Sequence, residues 1–426
     1  MTKRNSDATV IAQFQCSDID FMNQDNNKKT IAVFFGSRSV EHDVSILTGI
    51  HVLSALDTTQ FVPLSVYIAP DGAWYIGDAL NDRHNYPISD DIKKQLTQVE
   101  LAFDSQNSNC PMGKLRSLKT GLLKKEVFTY FDLAIPAIHG TNGEDGSLQG
   151  LFEIAGVPYA GSRVLASAIY MNKHASKHIF KANDVPHLPF KLAARDTSTP
   201  LPEIVEDLRA TGIDYPVCVK PQNLGSSIGV SCASNDQQLE TSIADVFKAD
   251  NTAIIEPFVA NLVEYNVAVT RTFGEIRFSA IEKPLRRSDT LDFSDKYRSA
   301  DDMDSKLYGP MGGGLASATR EFNPSELNDG RADNIRLWSA AVFDAVNTRG
   351  SVRFDFLCDS VTKELWMNEV NTIPGSMAFY LWEAAEPPVT FTQLLTAMVE
   401  EGFQQSAQNY SAIGADEMGG GLFQAA

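Results

Sequence analysis

Cysteine is scarce in this chain. Five occur in 426 residues, at positions 16, 110, 218, 232 and 358, and no two form a CxxC pair. An odd, scattered set suits a reducing compartment better than a disulfide scaffold or a zinc site. Basic charge is also short. Lys and Arg number 36 against 54 Asp and Glu, a net charge of −18. That argues against a general nucleic-acid binder, because nothing balances a run of phosphates. A phosphate site has to be assembled locally, from a few Lys and Arg and from backbone N–H groups. Long apolar runs are missing too. Residues 1–29 begin MTKRNSDATV and are polar, so no signal peptide is expected, and no later segment approaches a membrane span. The expected compartment is the cytoplasm, with no membrane partner. No internal repeats are visible.

What is present reads as a soluble protein. Hydrophobic residues make up 43% and charged residues 21%, and the length allows two or three domains. "TIAVFFG" (30–36) is a near-continuous apolar run, as expected of a buried parallel strand. Val40, Val44, Leu47 and Ile50 then recur at helical spacing. "FVPLSVYIA" (61–69) and "FDLAIPAIHG" (131–140) read as further strands. Strands alternating with helices predict a doubly wound α/β domain, whose sites lie at the carboxyl ends of strands. Glu41 and His139 occupy such positions. Residues 80–127 fit no pattern. A long helix is expected over 162–184, then mostly antiparallel strands of α+β character. The expected division is an extension at 1–29, an α/β domain at 30–165, α+β subdomains at 166–258 and 259–405, and a tail at 406–426.

Several stretches carry candidate chemistry. In "VRFDF", Val352, Phe354 and Phe356 face one way and Arg353 and Asp355 the other. In "NEVN", Glu369 and Asn371 share a face. If these strands pair, an arginine meets three oxygen-bearing side chains, hard ligands suited to Mg²⁺ bridging phosphates. Either strand alone reads more simply as the wet face of an edge hairpin; together, and followed by "TIPGS", they favour a site. "KPQNLGSSIGV" (220–230) ends a strand on Lys220 and continues with Gly225, Ser226, Ser227 and Gly229. Such small residues let backbone N–H groups approach phosphate. The loop is neither GxxxxGK[ST] nor GxGxxG, and a plain hairpin turn explains it equally well. "IIEPFV" with Glu256, and Glu264 beyond it, combines an apolar strand with two acids. On its own that is an ordinary surface pair beside a turn. "HGTNGEDGSLQG" (139–150) holds four glycines in twelve residues, which allows close backbone approach to a ligand. Its acids also suit a helix N-terminus. "KYR" (296–298) lies in a long polar run that reads as a lid or as a surface loop.

In this order, these segments resemble the D-alanine–D-alanine ligases of the ATP-grasp superfamily, from about residue 30 to 400. "HGTNGEDGSLQG" matches that family's first signature. "YAGSRVLASAIYMNK" (159–173), "KPQNLGSSIGV" and "RFDF…NEVNTIPGS" match later ones. The resemblance implies an ATP-grasp fold, in which two α+β subdomains clamp ATP behind the α/β domain. It implies ATP-dependent joining of two D-alanines through a D-alanyl phosphate for peptidoglycan precursors, by a homodimer. It places Lys173, Lys220, Ser226 and Ser227 on ATP, with Lys296 reaching the γ-phosphate. Backbone groups of Glu256 and Val259 would read adenine, and Glu264 the ribose. Asp355, Glu369 and Asn371 would hold two Mg²⁺ ions, for which Mn²⁺ can substitute. Glu41, linked to Ser226 and Tyr297, would take the first D-alanine's ammonium beside His139. Arg353 and the Gly375 N–H would form an oxyanion hole. Tyr380 falls near the second substrate.

Three departures stand out. Pro257 replaces a common Lys, Leu291 a common Tyr, and "SMAFYLW" (376–382) a hydroxyl-rich "MTSHS"-like segment. The last leaves D-serine, D-lactate or another acceptor as alternatives to D-alanine. Tyr297 favours D-alanine, because the superfamily's D-lactate ligases usually replace that residue. A catalytically silent nucleotide-binding protein ranks lower, since Arg353, Asp355, Glu369 and Asn371 are all present.

Overall fold

The computed structural model describes residues 28–103, 113–118, 126–197, 199–225, 228–285 and 320–412. Three sheets organise them. The first contains β1 (Lys29–Gly36), β2 (Phe61–Ile68), β3 (Trp74–Ile76), β4 (Thr97–Leu101), β5 (Gly113–Ser117), β6 (Phe128–Phe131) and β7 (Leu133–Pro136), in the order β6-β5-β4-β3-β2-β1-β7. β1 pairs in parallel with β2 and β7. Its side chains alternate between two cores. Ile31, Val33 and Phe35 face helices His42–Ala55 and Phe391–Ala412, while Ala32 and Phe34 face helix Ser147–Ala155. Burial on both faces explains the unbroken apolar run.

Among the described residues only these three strands pair in parallel. The stretch without a legible pattern, 80–127, supplies β4 and β5, which pair antiparallel between β3 and β6 and so extend the sheet. Its strands are short and charged at the surface, so neither period is clear. The helix after β1 also differs from expectation. It buries Val44, Ser45, Ile46, Thr48, Gly49, Val52 and Leu53, while Val40 lies outside it, 57% exposed. The expected helix over 162–184 is two helices, Val164–Met171 and Lys173–Ala182. They break at Asn172, whose side chain accepts the Ala175 N–H as an N-cap.

The second sheet holds β8 (Lys191–Ala194), β9 (Val217–Pro221), β10 (Ser231–Ala233) and β11 (Thr252–Pro257), antiparallel in the order β10-β9-β11-β8. The third holds β12 (Leu262–Thr270), β13 (Arg277–Pro284), β14 (Arg320–Phe322), β15 (Val352–Asp359) and β16 (Leu365–Asn371), in the order β14-β13-β12-β15-β16. β15 alternates as its sequence predicts. Val352, Phe354, Phe356 and Cys358 are buried in one core, and Arg353 and Asp355 face the other way. The pairing of β15 with β16 is irregular. Asp355 faces Glu369 and Phe356 faces Met367, so Asn368 has no partner.

Past β16 the chain returns to the first sheet. Trp382, Leu394, Leu395, Met398 and Val399 share a core with Ile31, Val33, Phe35, Leu133 and Ile135. No described helix is long and apolar enough to cross a membrane.

Candidate active site

The strand ends and loops of all three sheets converge. Glu41 caps the N-terminus of helix His42–Ala55 and is 4% exposed. Two glycine loops close on it. A Cβ on Gly140, whose φ is +72°, would lie 2.6 Å from Glu41 Oε2; a Cβ on Gly225 would lie 3.3 Å from the same oxygen. Glycine at these positions lets backbone reach the carboxylate.

Glu144 lies beneath this point. Its carboxylate accepts the Gly140 N–H at 2.9 Å and the Ile373 N–H at 3.2 Å. It therefore ties the 139–150 loop to the loop after β16. Burial, and then the charge of Glu41, push its carboxyl up to about 8. His139 Nδ1 is 3.9 Å from Glu144 Oε2, and its Nε2 is 2.7 Å from Thr48 Oγ1. Burial and the Arg353 charge lower His139 to about 4, so the imidazole is neutral near pH 7. Thr48 Oγ1 in turn accepts the Ser376 N–H at 3.1 Å.

On the third sheet, Arg353 forms a forked pair with Asp355, Nε to Oδ1 at 2.7 Å and Nη2 to Oδ2 at 2.8 Å. Asn371 donates to Asp355 Oδ2 at 3.0 Å. Glu369 stands across from Asp355, and Lys173 Nζ lies 3.5 Å from Glu369 Oε2. Among the described residues no group of three or more His, Cys, Asp and Glu could hold a metal ion. The expected set differs in kind: two facing carboxylates and an amide. Each carries a hard oxygen donor of the kind Mg²⁺ prefers. The residues fit Mg²⁺.

The helix Lys173–Ala182 and β9 contribute lysines. Lys173 begins its helix beside the glycine loop, its Nζ donating to the Leu224 carbonyl at 2.6 Å. Lys220 Nζ lies 2.5 Å from Glu256 Oε2, and Lys177 Nζ lies 2.5 Å from Glu256 Oε1. Glu256 is 1% exposed. Burial alone would raise its carboxyl, but the two ammoniums outweigh that and hold it at about 2. Its side chain is thus committed to lysines, and only its backbone is left to meet a base. Val259 lies two residues past the end of β11, and Glu264, across from Leu357, is on the same face of the third sheet as Asp355.

Tyr380 donates to Glu282 Oε2 at 3.1 Å. Arg320 lies over its ring at 4.1 Å and pairs with Glu282 at 2.9 Å. Gly375 opens the turn after Pro374 and has open space on its Cβ side, so its expected role is a backbone one. Ser226, Ser227, Lys296 and Tyr297 lie outside the described residues.

Sequence reasoning missed Lys177, Thr48, Glu282 and Arg320, and read Glu144 only as a helix-terminal acid. Lys177 had a signal: it lies four residues after Lys173, and such residues share a helix face. The others had none, because their partners are distant in the chain.

Two sheets facing each other across lysines and carboxylates, behind an α/β domain, form the ATP-grasp fold. Comparison with known proteins agrees. The family model described as "D-ala D-ala ligase N-terminus" matches residues 30–162, and "D-ala D-ala ligase C-terminus" matches 179–400. The D-alanine–D-alanine ligase of Heliobacterium modesticaldum is 32% identical over 383 residues, 88% of this chain and 94% of that protein. That of Thermosipho melanesiensis is 30% identical over 375 residues, again 88% and 94%. Among solved structures, the D-alanine–D-alanine ligase of Coxiella burnetii superposes with a TM-score of 0.73 at 22% identity, covering 92% of this chain and 99% of its own. The chain belongs to the D-alanine–D-alanine ligase family.

Proposed function

We infer that this chain joins two D-alanines with ATP cleavage to ADP and phosphate, making a dipeptide for peptidoglycan precursors. One observation carries the reading. Arg353, Asp355, Glu369 and Asn371 meet Lys173 at a single cleft, where Glu144 bridges to the Glu41 pocket.

A carboxylate is a poor acyl donor, since its leaving group would be oxide. Phosphoryl transfer from ATP converts it to an acyl phosphate. Lys173 and Lys220 neutralise charge on the triphosphate during that step. Mg²⁺, held by Asp355, Glu369 and Asn371, would screen the same oxygens when bound. Glu41 receives the first substrate's ammonium, with neutral His139 beside it. The second amine then attacks the acyl carbon. The resulting oxyanion is met by Arg353 and the Gly375 N–H. Ser226, Ser227 and Lys296 complete the phosphate contacts, and Tyr297 the first-substrate pocket. Backbone groups of Glu256 and Val259, with Glu264, hold the nucleoside. The enzyme works in the cytoplasm as a homodimer, which light scattering would test.

Purified protein with ATP and Mg²⁺ should release phosphate when given D-alanine; absence of stimulation would sink the reading. Glu369→Ala should abolish turnover while leaving the melting temperature within a few degrees of wild type. Unchanged phosphate release in that variant would refute the metal assignment.

A second reading concerns the acceptor. The segment 376–382, whose Tyr380 contacts Glu282 and Arg320, stands where the family commonly has hydroxyl residues, which favours testing D-serine and D-lactate beside D-alanine. Faster turnover with either as second substrate would select that alternative.

A further inference from the structure

β16 breaks its own period. In a regular strand Asn368 would face away from Glu369 and Asn371. The residue without a partner at 368 changes this. Met367 and Val370 are in the core, at 0% and 4% exposure, while Asn368, Glu369 and Asn371 are all half-buried. A bulge of this kind re-aims a side chain. Here it turns Asn368 into the cleft, where its Oδ1 accepts from Lys220 Nζ at 3.0 Å.

That bond joins two sheets. Lys220 ends β9 of the second sheet and Asn368 belongs to β16 of the third. The Lys173–Glu369 pair is a second bridge between the glycine-loop side and β16. Lys220 is therefore gripped from both sides, by Glu256 on its own sheet and by Asn368 on the facing one. An ammonium has three donors. Two acceptors fix its position and leave one donor for a phosphate oxygen.

The chemistry of the acceptor also matters. Lys177, Glu256 and Lys220 together carry one net positive charge. A carboxylate at position 368 would cancel it. An amide orients the ammonium without removing the charge that a triphosphate needs.

We propose that Asn368 is a positioning residue for ATP: its bulge-directed amide holds Lys220 in place from the opposite sheet and adds no negative charge to the Lys177–Glu256–Lys220 cluster. The proposal rests on the ligase reading and assigns a role to a residue outside the nucleotide and metal contacts given above.

Two variants test it. Asn368→Leu removes the acceptor. Its KM for ATP should rise roughly tenfold, the scale of one hydrogen bond to a charged group, with KM for D-alanine within about twofold of wild type. Asn368→Asp keeps an acceptor but adds negative charge, and should also weaken ATP. An unchanged ATP KM in Asn368→Leu overturns the proposal. So does an equal rise in both KM values together with a lower melting temperature, which would mean general loosening. Calorimetric titration of ADP into wild type and both variants separates this from the ligase reading. If wild type binds ADP but D-alanine stimulates no phosphate release, the ligase reading fails while the ADP comparison still decides the role of Asn368.

Discussion

Replacing Glu256 by glutamine should cost about 3–5 kcal/mol of stability, the range seen when one partner of a buried ion pair is removed. Glu256 stands between Lys177 and Lys220, and the three are at most 7% exposed. Glutamine fits the space but leaves two buried ammoniums without a counter-charge. Urea unfolding at pH 7 would measure the loss. The pH dependence gives a second readout. The folded carboxyl is held at about 2, against an ordinary 4.5. A depressed carboxyl contributes stability that is full above its unfolded value and disappears as pH falls through its folded one. The gap between wild type and variant should therefore be widest near neutrality and narrow from about pH 4.5 towards 2. A variant as stable as wild type at pH 7 would show that the triad is energetically idle.

Arg353→Ala should lower dipeptide formation by about 10²–10³, the usual cost of one oxyanion donor. The fork on Asp355 fixes where the guanidinium points. Lysine cannot reproduce that geometry, so Arg353→Lys should recover little. Trapping the acyl phosphate with hydroxylamine separates the two chemical steps. Dipeptide synthesis should fall much further than hydroxamate formation. Equal losses in both would move Arg353 from the oxyanion to the nucleotide step.

How much of this was legible in the sequence depended on how local each signal was. The alternation in "VRFDF" and "NEVN" predicts a shared face, and β15 and β16 do pair with Asp355 against Glu369. The unbroken run in β1 likewise predicts a strand buried on both sides. The same period-2 logic fails one residue away, at Asn368, because a bulge depends on the partner strand and leaves no mark on its own. Val40 sets the wrong phase for the first helix, because it is an exposed residue before the helix begins. Lys173 came from a family motif, whereas Glu256 looked like a surface acid. Nothing near it in sequence shows that Lys177 and Lys220 will neutralise it. Thr48, Glu144 and Ser376 are held together only by tertiary contacts, including one between residues 328 apart.

The return of the chain to its first sheet has a consequence during synthesis. β1 and β7 are made early, but one of their two faces is completed only by Trp382 and the helix Phe391–Ala412. At roughly 5–20 residues per second, that face waits on the order of 10–50 s, shielded mainly by the helix His42–Ala55. Ile31, Val33, Phe35 and Ile135 are thus apolar surface in the nascent protein before they are core. Substitutions that weaken the last helix should appear first as poor yield and aggregation of new chains, ahead of any change in the rate of the folded enzyme.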